Sequence, residues 1–367
     1  MTRIKSVFGD YATQLQVLVN ENLEKFKDPF FPKYFTTGIP KSTLSYATAI
    51  GRSRIEAAAS VVAHGSEAPL RSRAGLEKLS GEVAAIKVKR EMEENEYRNW
   101  LTLRETRMAD ESKKQQIIQL IWNDVKHVVD SVNSRLDIMA KQALSRGIVT
   151  INATTNPDGI VVGDVDLLVT NRDGLNINDH TAASGHWTHP IQGNNTGATA
   201  TPIEDIIQIV STAEDNGIAF EKMLMTPSKW REVASIVSRA GGRFDEEPTL
   251  DEMNNYLTDR NLPYIELVTG RHSLETDGGI SNYVAWQNQY VTFIPAGSLG
   301  VIHNALAIEE ISPVQGVDYA MNDRVLVSKW AQTEPFGEYT RGEIAAFPGL
   351  EAADNVWMLN TESVTWA

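Results

Sequence analysis

The chain has 367 residues, of which 42% are hydrophobic and 22% charged, and its formal net charge is −14. This composition is ordinary for a folded globular protein and too apolar for a disordered one. The sequence has no cysteine, which excludes disulfides, thiolate metal sites and cysteine nucleophiles. The negative net charge makes general binding to phosphate backbones unfavourable. No run approaches the roughly 20 apolar residues of a membrane helix, and residues 1–14 lack a secretory apolar region, so we expect folding in a cytoplasm.

Residues 1–40 predict an N-terminal arm. Apolar residues recur at helical spacing between Val7 and Val19, which indicates a short amphipathic helix. The segment 28–35 then combines two prolines with four aromatic residues, so it fits neither a regular helix nor a central strand. We expect an extended segment whose rings bury against a neighbouring chain, or, as the alternative, a strap across its own domain. The rings are Phe30, Phe31, Tyr34 and Phe35.

Residues 41–85 predict an extended loop. Alternating apolar and polar residues indicate strands around Leu44–Tyr46 and Ile86–Val88. The sequence between them is rich in glycine and basic residues and offers little to bury, which is uncommon inside a compact domain. We expect a neighbouring subunit to supply the missing surface, with basic side chains meeting acidic ones there. The basic residues are Arg52, Arg54, Arg71 and Arg73.

The strongest periodic pattern lies in residues 111–146, where apolar residues fall on one stripe at helical spacing. Asp110 is placed to cap the start and Gly147 to end the helix, which would span about 50 Å. The stripe is wide and lacks sustained heptads, so a single helix lying along a sheet fits better than a coiled coil. A hairpin is predicted next, from residues 148–152 and 159–169 around a turn at 156–159.

An α/β pattern follows from residue 201. Capping signals predict helices that begin at Thr201-Pro202, at Thr226-Pro227 and at Thr249 with Glu252. Strands are predicted at 223–225, 264–268, 283–286 and 290–294.

The familiar catalytic and nucleotide-binding motifs are missing from the sequence, so the chain is predicted not to be an enzyme and to need no cofactor. One group could hold a metal ion: His180, His186 and His189 lie within ten residues of one another in the polar loop 171–200. That loop is rich in glycine and asparagine and has no predicted element to fix ligands. A metal-dependent enzyme therefore remains an alternative only.

Several segments, in this order, resemble the lambda-type major capsid proteins of tailed bacteriophages, which have the Hong Kong ninety-seven capsid fold. They are DPFFPKYFTTGIPKSTLSYA (28–47), GRSRIEAAASVVAHGSEAP (51–69), LEKLSGEVAAIKVKREM (76–92), HWTHPIQGNNTGATATPIEDI (186–206), NGIAFEKMLMTPSKWREV (216–233) and EPFGEYTRGEIAAFPGLEAADNVWMLNT (334–361). The polar, long 180–200 loop departs from the family pattern. The cross-linking found in some relatives is not implied here, because no matching lysine–asparagine pair is identified.

The resemblance implies an α+β capsid fold with an N-terminal arm (1–40), an extended loop (41–85), a peripheral or P domain (86–172) with the spine helix at about 111–146, and an axial or A domain (173–311). A return segment of the P domain (312–345) and the rest of the A domain (346–367) would follow.

The expected function is that of a major capsid protein, a homo-oligomer whose pentamers and hexamers form an icosahedral virion shell after assembly in the host cytoplasm. Its expected partners are scaffold, portal and decoration proteins, and DNA packaged without specific binding; no membrane is involved. Two further alternatives are an encapsulin-like bacterial compartment and a small-molecule-binding α/β protein.

Overall fold

The structure is a computed structural model that describes residues 15–51, 76–92, 94–105, 110–157, 159–174, 185–188, 199–239, 243–276, 279–334, 336–363 and 366. The α-helices of this part are α1 (Leu15–Glu21), α2 (Glu94–Glu105), α3 (Asp110–Arg146), α4 (Pro202–Asp215), α5 (Pro227–Val237), α6 (Leu250–Thr258) and α7 (Ile308–Ile311). The strands are β1 (Phe35–Thr37), β2 (Ser45–Gly51), β3 (Leu76–Glu82), β4 (Ala85–Met92), β5 (Ile148–Ile151), β6 (Gly163–Asp166), β7 (Asn171–Asp173), β8 (Lys222–Met225), β9 (Tyr264–Leu267), β10 (Arg271–Thr276), β11 (Gly279–Val284), β12 (Tyr290–Ile294), β13 (Gly300–Ala305), β14 (Asp318–Asn322), β15 (Val325–Thr333), β16 (Phe336–Leu350) and β17 (Trp357–Asn360).

The first sheet is built around the 15-residue strand β16. Its strand order is β1-β13-β16-β15-β14, and β4 also pairs with β16. All neighbours are antiparallel except β1, which runs parallel to β13. The sheet thus joins strands from the N-terminal arm, the end of the extended loop and the C-terminal third of the chain.

The spine helix α3 lies on this sheet. Its predicted extent is confirmed, since it runs from Asp110 to Arg146 and Gly147 leaves it with a φ of 70°. The apolar stripe is buried from Ile121 to Leu144. A Cβ placed on Gly342 of β16 would lie 2.9 Å from the carbonyl oxygen of Val128, so the helix approaches the strand closely at this glycine.

The second sheet has the order β7-β17-β12-β8-β9. Side chains alternate along β12, so Val291 and Phe293 face a core shared with α4, α5 and α6, while Ile294 belongs to the core of the spine helix. The hydroxyl of Thr292 donates to the carbonyl of Leu144 at 2.7 Å within that second face. The sheet therefore lies between three helices and the C-terminal end of α3.

The predicted hairpin and two of the predicted helix caps are confirmed, whereas one predicted cap is absent and one helix was not predicted. The hairpin forms from β5 and β6, α5 is capped by Thr226, and Thr249 with Glu252 forms a complete capping box. The helix α4 begins at Pro202 as predicted, but the side chain of Thr201 makes no capping hydrogen bond. Helix α2 was not predicted, because its sequence, ENEYRNWLTLRE, is too polar to show a clear apolar stripe.

The two strands predicted around Leu44–Tyr46 and Ile86–Val88 do not pair with each other. Strand β2 pairs with β3, whereas the predicted strand at 86–88 lies in β4 and pairs with β16. Strand β13 joins the first sheet, although the predicted A domain extended to residue 311. The predicted division into P and A domains stays a proposal, and this pairing favours placing β13 with the spine helix.

The close approach at Gly342 gives a prediction about stability. Gly342→Ala should lower the free energy of unfolding by about 1–3 kcal/mol, because the added methyl group meets backbone atoms of Val128 that cannot move independently. Gly337→Ala in the same strand is the matched control, since its neighbours, the end of the Glu91 side chain at 3.1 Å and the carbonyl oxygen of Met92 at 3.3 Å, are both farther away than the 2.9 Å contact at Gly342. Urea unfolding of both variants measures the difference. Equal losses in the two variants would contradict the proposed role of Gly342.

Candidate functional site

The aromatic segment of the arm packs on its own chain. Phe31, Tyr34 and Phe35 are between 2% and 5% exposed and belong to the same core as the spine helix. This burial favours the alternative, a strap across the chain's own domain, over burial of these three rings against a neighbouring chain. The physical reason is that the spine helix and the first sheet together offer an apolar surface that the rings cover. Phe30 is only partly buried, so its contact with a neighbour stays a prediction.

A buried carboxylate fixes the start of this strap. Asp137 of α3 is 7% exposed, and its Oδ1 accepts hydrogen bonds from the backbone N–H groups of Phe30 at 2.7 Å and Phe31 at 3.0 Å. Burial raises the pKa of Asp137, and the two backbone hydrogen bonds oppose that shift. Without this acceptor two donors near the core would be unsatisfied, so Asp137 determines where the strap crosses the helix.

Tyr34 links the strap to the second sheet. Its hydroxyl donates to Glu266 of β9 at 2.9 Å, and Glu266 also accepts from Lys222 of β8 at 2.7 Å. Burial, followed by the hydrogen bond to Glu266, raises the pKa of Tyr34 well above its usual value, so this hydroxyl stays a donor. One residue later, Phe35 opens β1 and pairs with Gly300 of the first sheet.

A histidine lies beside the strap in a basic environment. His272 of β10 accepts from Lys141 of α3 through Nε2 at 2.9 Å, and its Nδ1 lies 3.0 Å from the hydroxyl of Ser134. Lysine is only a donor, so we assign the ring proton to Nδ1. Burial, and then the charges of Lys141, Lys27 and Arg135, lower the pKa of His272 to about 3. His272 is therefore neutral in the folded protein at neutral pH.

The extended loop is described only at its base, in strands β2 and β3. The predicted contact residues Arg52, Arg54, Arg71 and Arg73 lie outside the described residues, so their contact with acidic neighbour surfaces stays a prediction. The base is well fixed, because the buried ring of Tyr46 stacks on His303 at 5.2 Å and on Phe347 at 5.1 Å. Next to it lies an open groove of about 410 Å³, lined by Lys41, Thr43, Ser45, Tyr46, Ala47, Ser80 and Gly81.

Within the described ranges no group of three or more histidine, aspartate or glutamate side chains could hold a metal ion. His186 lies in the short described segment 185–188, whereas His180 and His189 lie outside the described residues. The neighbouring Trp187 is fully buried, and its Nε1–H donates to Asp205 of α4 at 2.7 Å. Of the helices that the structure describes, none is both long and apolar enough to span a membrane.

Sequence reasoning missed Lys229, which has no exposed surface although lysines are usually at the surface. Its Nζ donates to the carbonyl of Trp187 at 2.6 Å and lies 2.6 Å from Glu232 and 2.9 Å from Glu362. The lysine therefore joins α5, the Trp187 segment and the C-terminal segment. The sequence indicates only that Lys229 lies on the first turn of a capped helix, and this position does not tell whether a lysine is buried or exposed.

The anchor at Asp137 gives a prediction about the strap. Asp137→Ala should speed hydrogen exchange at the amides of Phe30 and Phe31 by roughly tenfold or more, since a buried donor without a partner costs about 1–3 kcal/mol. Asp130→Ala is the matched control: Asp130 is on the same helix and accepts from the N–H of Lys27 at 3.1 Å, but at an exposed position. Unchanged exchange in the Asp137 variant would show that the strap does not depend on this carboxylate.

The lowered pKa of His272 gives a prediction about acid stability. An unfolded histidine takes up a proton near pH 6.5 and the folded one only near pH 3. Unfolding therefore takes up a proton between these values, so the stability present above pH 6.5 is lost as the pH falls. His272→Gln keeps an acceptor for Lys141 but does not titrate. Its free energy of unfolding, measured by urea unfolding from pH 7 to pH 4, should fall less steeply with pH than that of the wild type. The difference in slope corresponds to at most one proton taken up on unfolding. Parallel curves would contradict this assignment.

Two solved structures are similar to this chain over nearly their whole length. One is a protein described provisionally as a prophage capsid protein from E. coli CFT073, with a TM-score of 0.56 and 14% identity, covering 94% of this chain and 96% of that chain. The other is a phage-related protein from Bordetella bronchiseptica RB50, with a TM-score of 0.53 and 11% identity, covering 95% of this chain and 97% of that chain. No family model and no curated protein matches the sequence. At these identities the likeness is one of fold, and the chain has the α+β phage capsid fold that the sequence predicted.

Proposed function

We propose that this chain is the major capsid protein of a tailed bacteriophage, a structural subunit that assembles into pentamers and hexamers of an icosahedral shell around the genome. The observation that carries the proposal is the fold shared along 94% of the chain with a protein described provisionally as a prophage capsid protein. Because the likeness extends over 94% of this chain and 96% of that chain, it concerns the whole architecture rather than one common module.

The extended loop supports the same function. Its strands β2 and β3 form a sheet of their own with two strands. Such a hairpin is marginally stable in water unless another surface covers it. A neighbouring subunit in a shell would supply that surface, with Arg52, Arg54, Arg71 and Arg73 against acidic side chains. The net charge of −14 provides many acidic side chains for such contacts.

The same charge suits a container for DNA. A wall of negative subunits repels the packaged phosphate backbone, so DNA would be enclosed without specific binding. Scaffold, portal and decoration proteins are the further partners of this proposal. The site of action would be the virion capsid, after assembly in the host cytoplasm.

The first experiment is to express the chain, alone and together with a candidate scaffold protein, and to measure particle size by sedimentation and negative-stain microscopy. Closed shells, or rings of five or six subunits, support the proposal. Shells that contain protein cargo instead of DNA in the native host would point to an encapsulin-like compartment. A homogeneous monomer or dimer under both conditions would overturn the capsid function.

The basic residues of the extended loop give a prediction about assembly. Arg71→Glu combined with Arg73→Glu should abolish or strongly reduce shells, because like charges would then face each other across the contact. The matched control is Arg71→Lys with Arg73→Lys, which keeps the charge and should assemble. Circular dichroism of the isolated subunits shows whether the fold is retained. Normal shells from the glutamate variant would remove these residues from the interface.

A further inference from the structure

The outer strand of the first sheet, β14, has backbone groups that point away from the sheet. It stands at the end of the strand order and is joined to β15 by a two-residue turn, so Asn322 and Val325 flank that turn as a hydrogen-bonded pair. Opposite residues of an antiparallel ladder alternate between hydrogen-bonded and non-hydrogen-bonded pairs. The N–H and C=O groups of Met321 and of Tyr319 therefore face the outer edge. An edge of this kind can pair with a strand of another chain.

The side chain of Gln16 occupies this edge at Met321. Its Oε1 accepts from the backbone N–H of Met321 at 2.7 Å, and its Nε2 donates to the C=O of the same residue at 2.9 Å. One amide thus makes both hydrogen bonds that a residue of a further strand would make there. Nε2 also donates to Oδ1 of Asn20 at 2.9 Å. Turning the amide over would place donor against donor and acceptor against acceptor, so its partners fix its orientation.

Helix α1 holds Gln16 in this position. Leu15, Leu18 and Val19 are buried in the core that contains the spine helix, and the helix packs along β14. Because these apolar residues lie on both sides of Gln16 in the sequence, the backbone at residue 16 is held by packing and does not depend on the amide alone. The contact at Met321 is therefore a built part of the subunit.

We propose that Gln16 closes the edge of the first sheet to a second copy of this chain and so prevents two subunits from pairing through β14. Two identical antiparallel strands are self-complementary, since the outward groups of Met321 in one copy can meet those of Tyr319 in the other. Such a pair is a closed two-fold dimer, which would compete with contacts that close into rings. The inference goes beyond the proposed function, because it concerns the single subunit and holds whether or not shells form.

The substitution Gln16→Leu removes the amide but keeps a side chain that favours a helix. We expect the self-association constant of the dissociated full-length subunit to rise roughly tenfold or more, because both backbone groups of Met321 become available for pairing. Sedimentation velocity at several concentrations measures it. Glu21→Leu is the matched control, since it adds the same apolar side chain at an exposed position of the same helix. An unchanged constant for Gln16→Leu, or an equal rise in both variants, overturns the proposal.

The double variant Gln16→Leu with Met321→Pro tests whether the new association uses the edge. Proline removes the outward N–H, and the ladder with β15 does not use that group. The double variant should associate as weakly as the wild type, and association that persists overturns the proposal. Circular dichroism checks that each variant is folded.

Hydrogen exchange in the wild-type subunit gives a test without any substitution. The amide of Met321 should exchange roughly tenfold more slowly than that of Tyr319, because Gln16 accepts from the former. Equal exchange rates at the two amides would show that Gln16 does not close the edge, even if a substituted subunit fails to fold.

Discussion

The packing of one helix against two sheets is the constraint on which the rest of the molecule depends. Helix α3 contacts β16, β4 and β15 of the first sheet, and β12 of the second. Its 37 residues span about 55 Å, so a single rigid element sets the distance between sheets that share no strand in the described part of the chain. The close contact of Gly342 with Val128 fixes the middle of the helix on the first sheet, and the hydrogen bond from Thr292 to Leu144 fixes its C-terminal end on the second. In the proposed shell a subunit would have to keep its shape while many neighbours contact it, and the packing of α3 on both sheets would meet that requirement.

The arm completes the same structure by crossing all three parts. Asp137 holds its backbone on the helix, Tyr34 reaches Glu266 of the second sheet, and Phe35 begins the parallel strand at the edge of the first. The contacts of Asp137 and Tyr34 give hydrogen-bond partners to polar groups near the core. The pairing of β1 covers the edge of β13, which would otherwise be open. The strap therefore packs mainly within its own chain, and Phe30, which is partly buried, is its ring left for a contact with a neighbour.

Features that depend on residues close together in the sequence could be predicted, whereas features that depend on residues far apart in the sequence could not. The extent of α3, the β5–β6 hairpin and the caps of α5 and α6 depend on residues a few positions apart, so the sequence shows them. The pairing of β4 with β16 joins residues about 250 positions apart, such as Lys89 and Arg341, and no local pattern specifies it. For the same reason the burial of the arm rings was predictable, whereas the surface that buries them was not. The buried Lys229 was also beyond prediction, because its partners Trp187 and Glu362 are far from it in sequence.

The distribution of exposed apolar residues indicates how copies of this chain would associate. Ile39, Val161, Ile280 and Ile308 lie on separate segments of the chain: two on connecting segments, one on β11 and one on α7. A two-fold dimer needs one self-complementary patch, whereas repeated association around a ring needs pairs of different ones. Each subunit also carries a net charge of −14, so neighbours repel one another, and salt screens this repulsion over about 10 Å at 0.1 M. Apolar contacts and local ion pairs must therefore hold the subunits together, and added salt should favour association as long as the apolar contacts contribute more than the ion pairs.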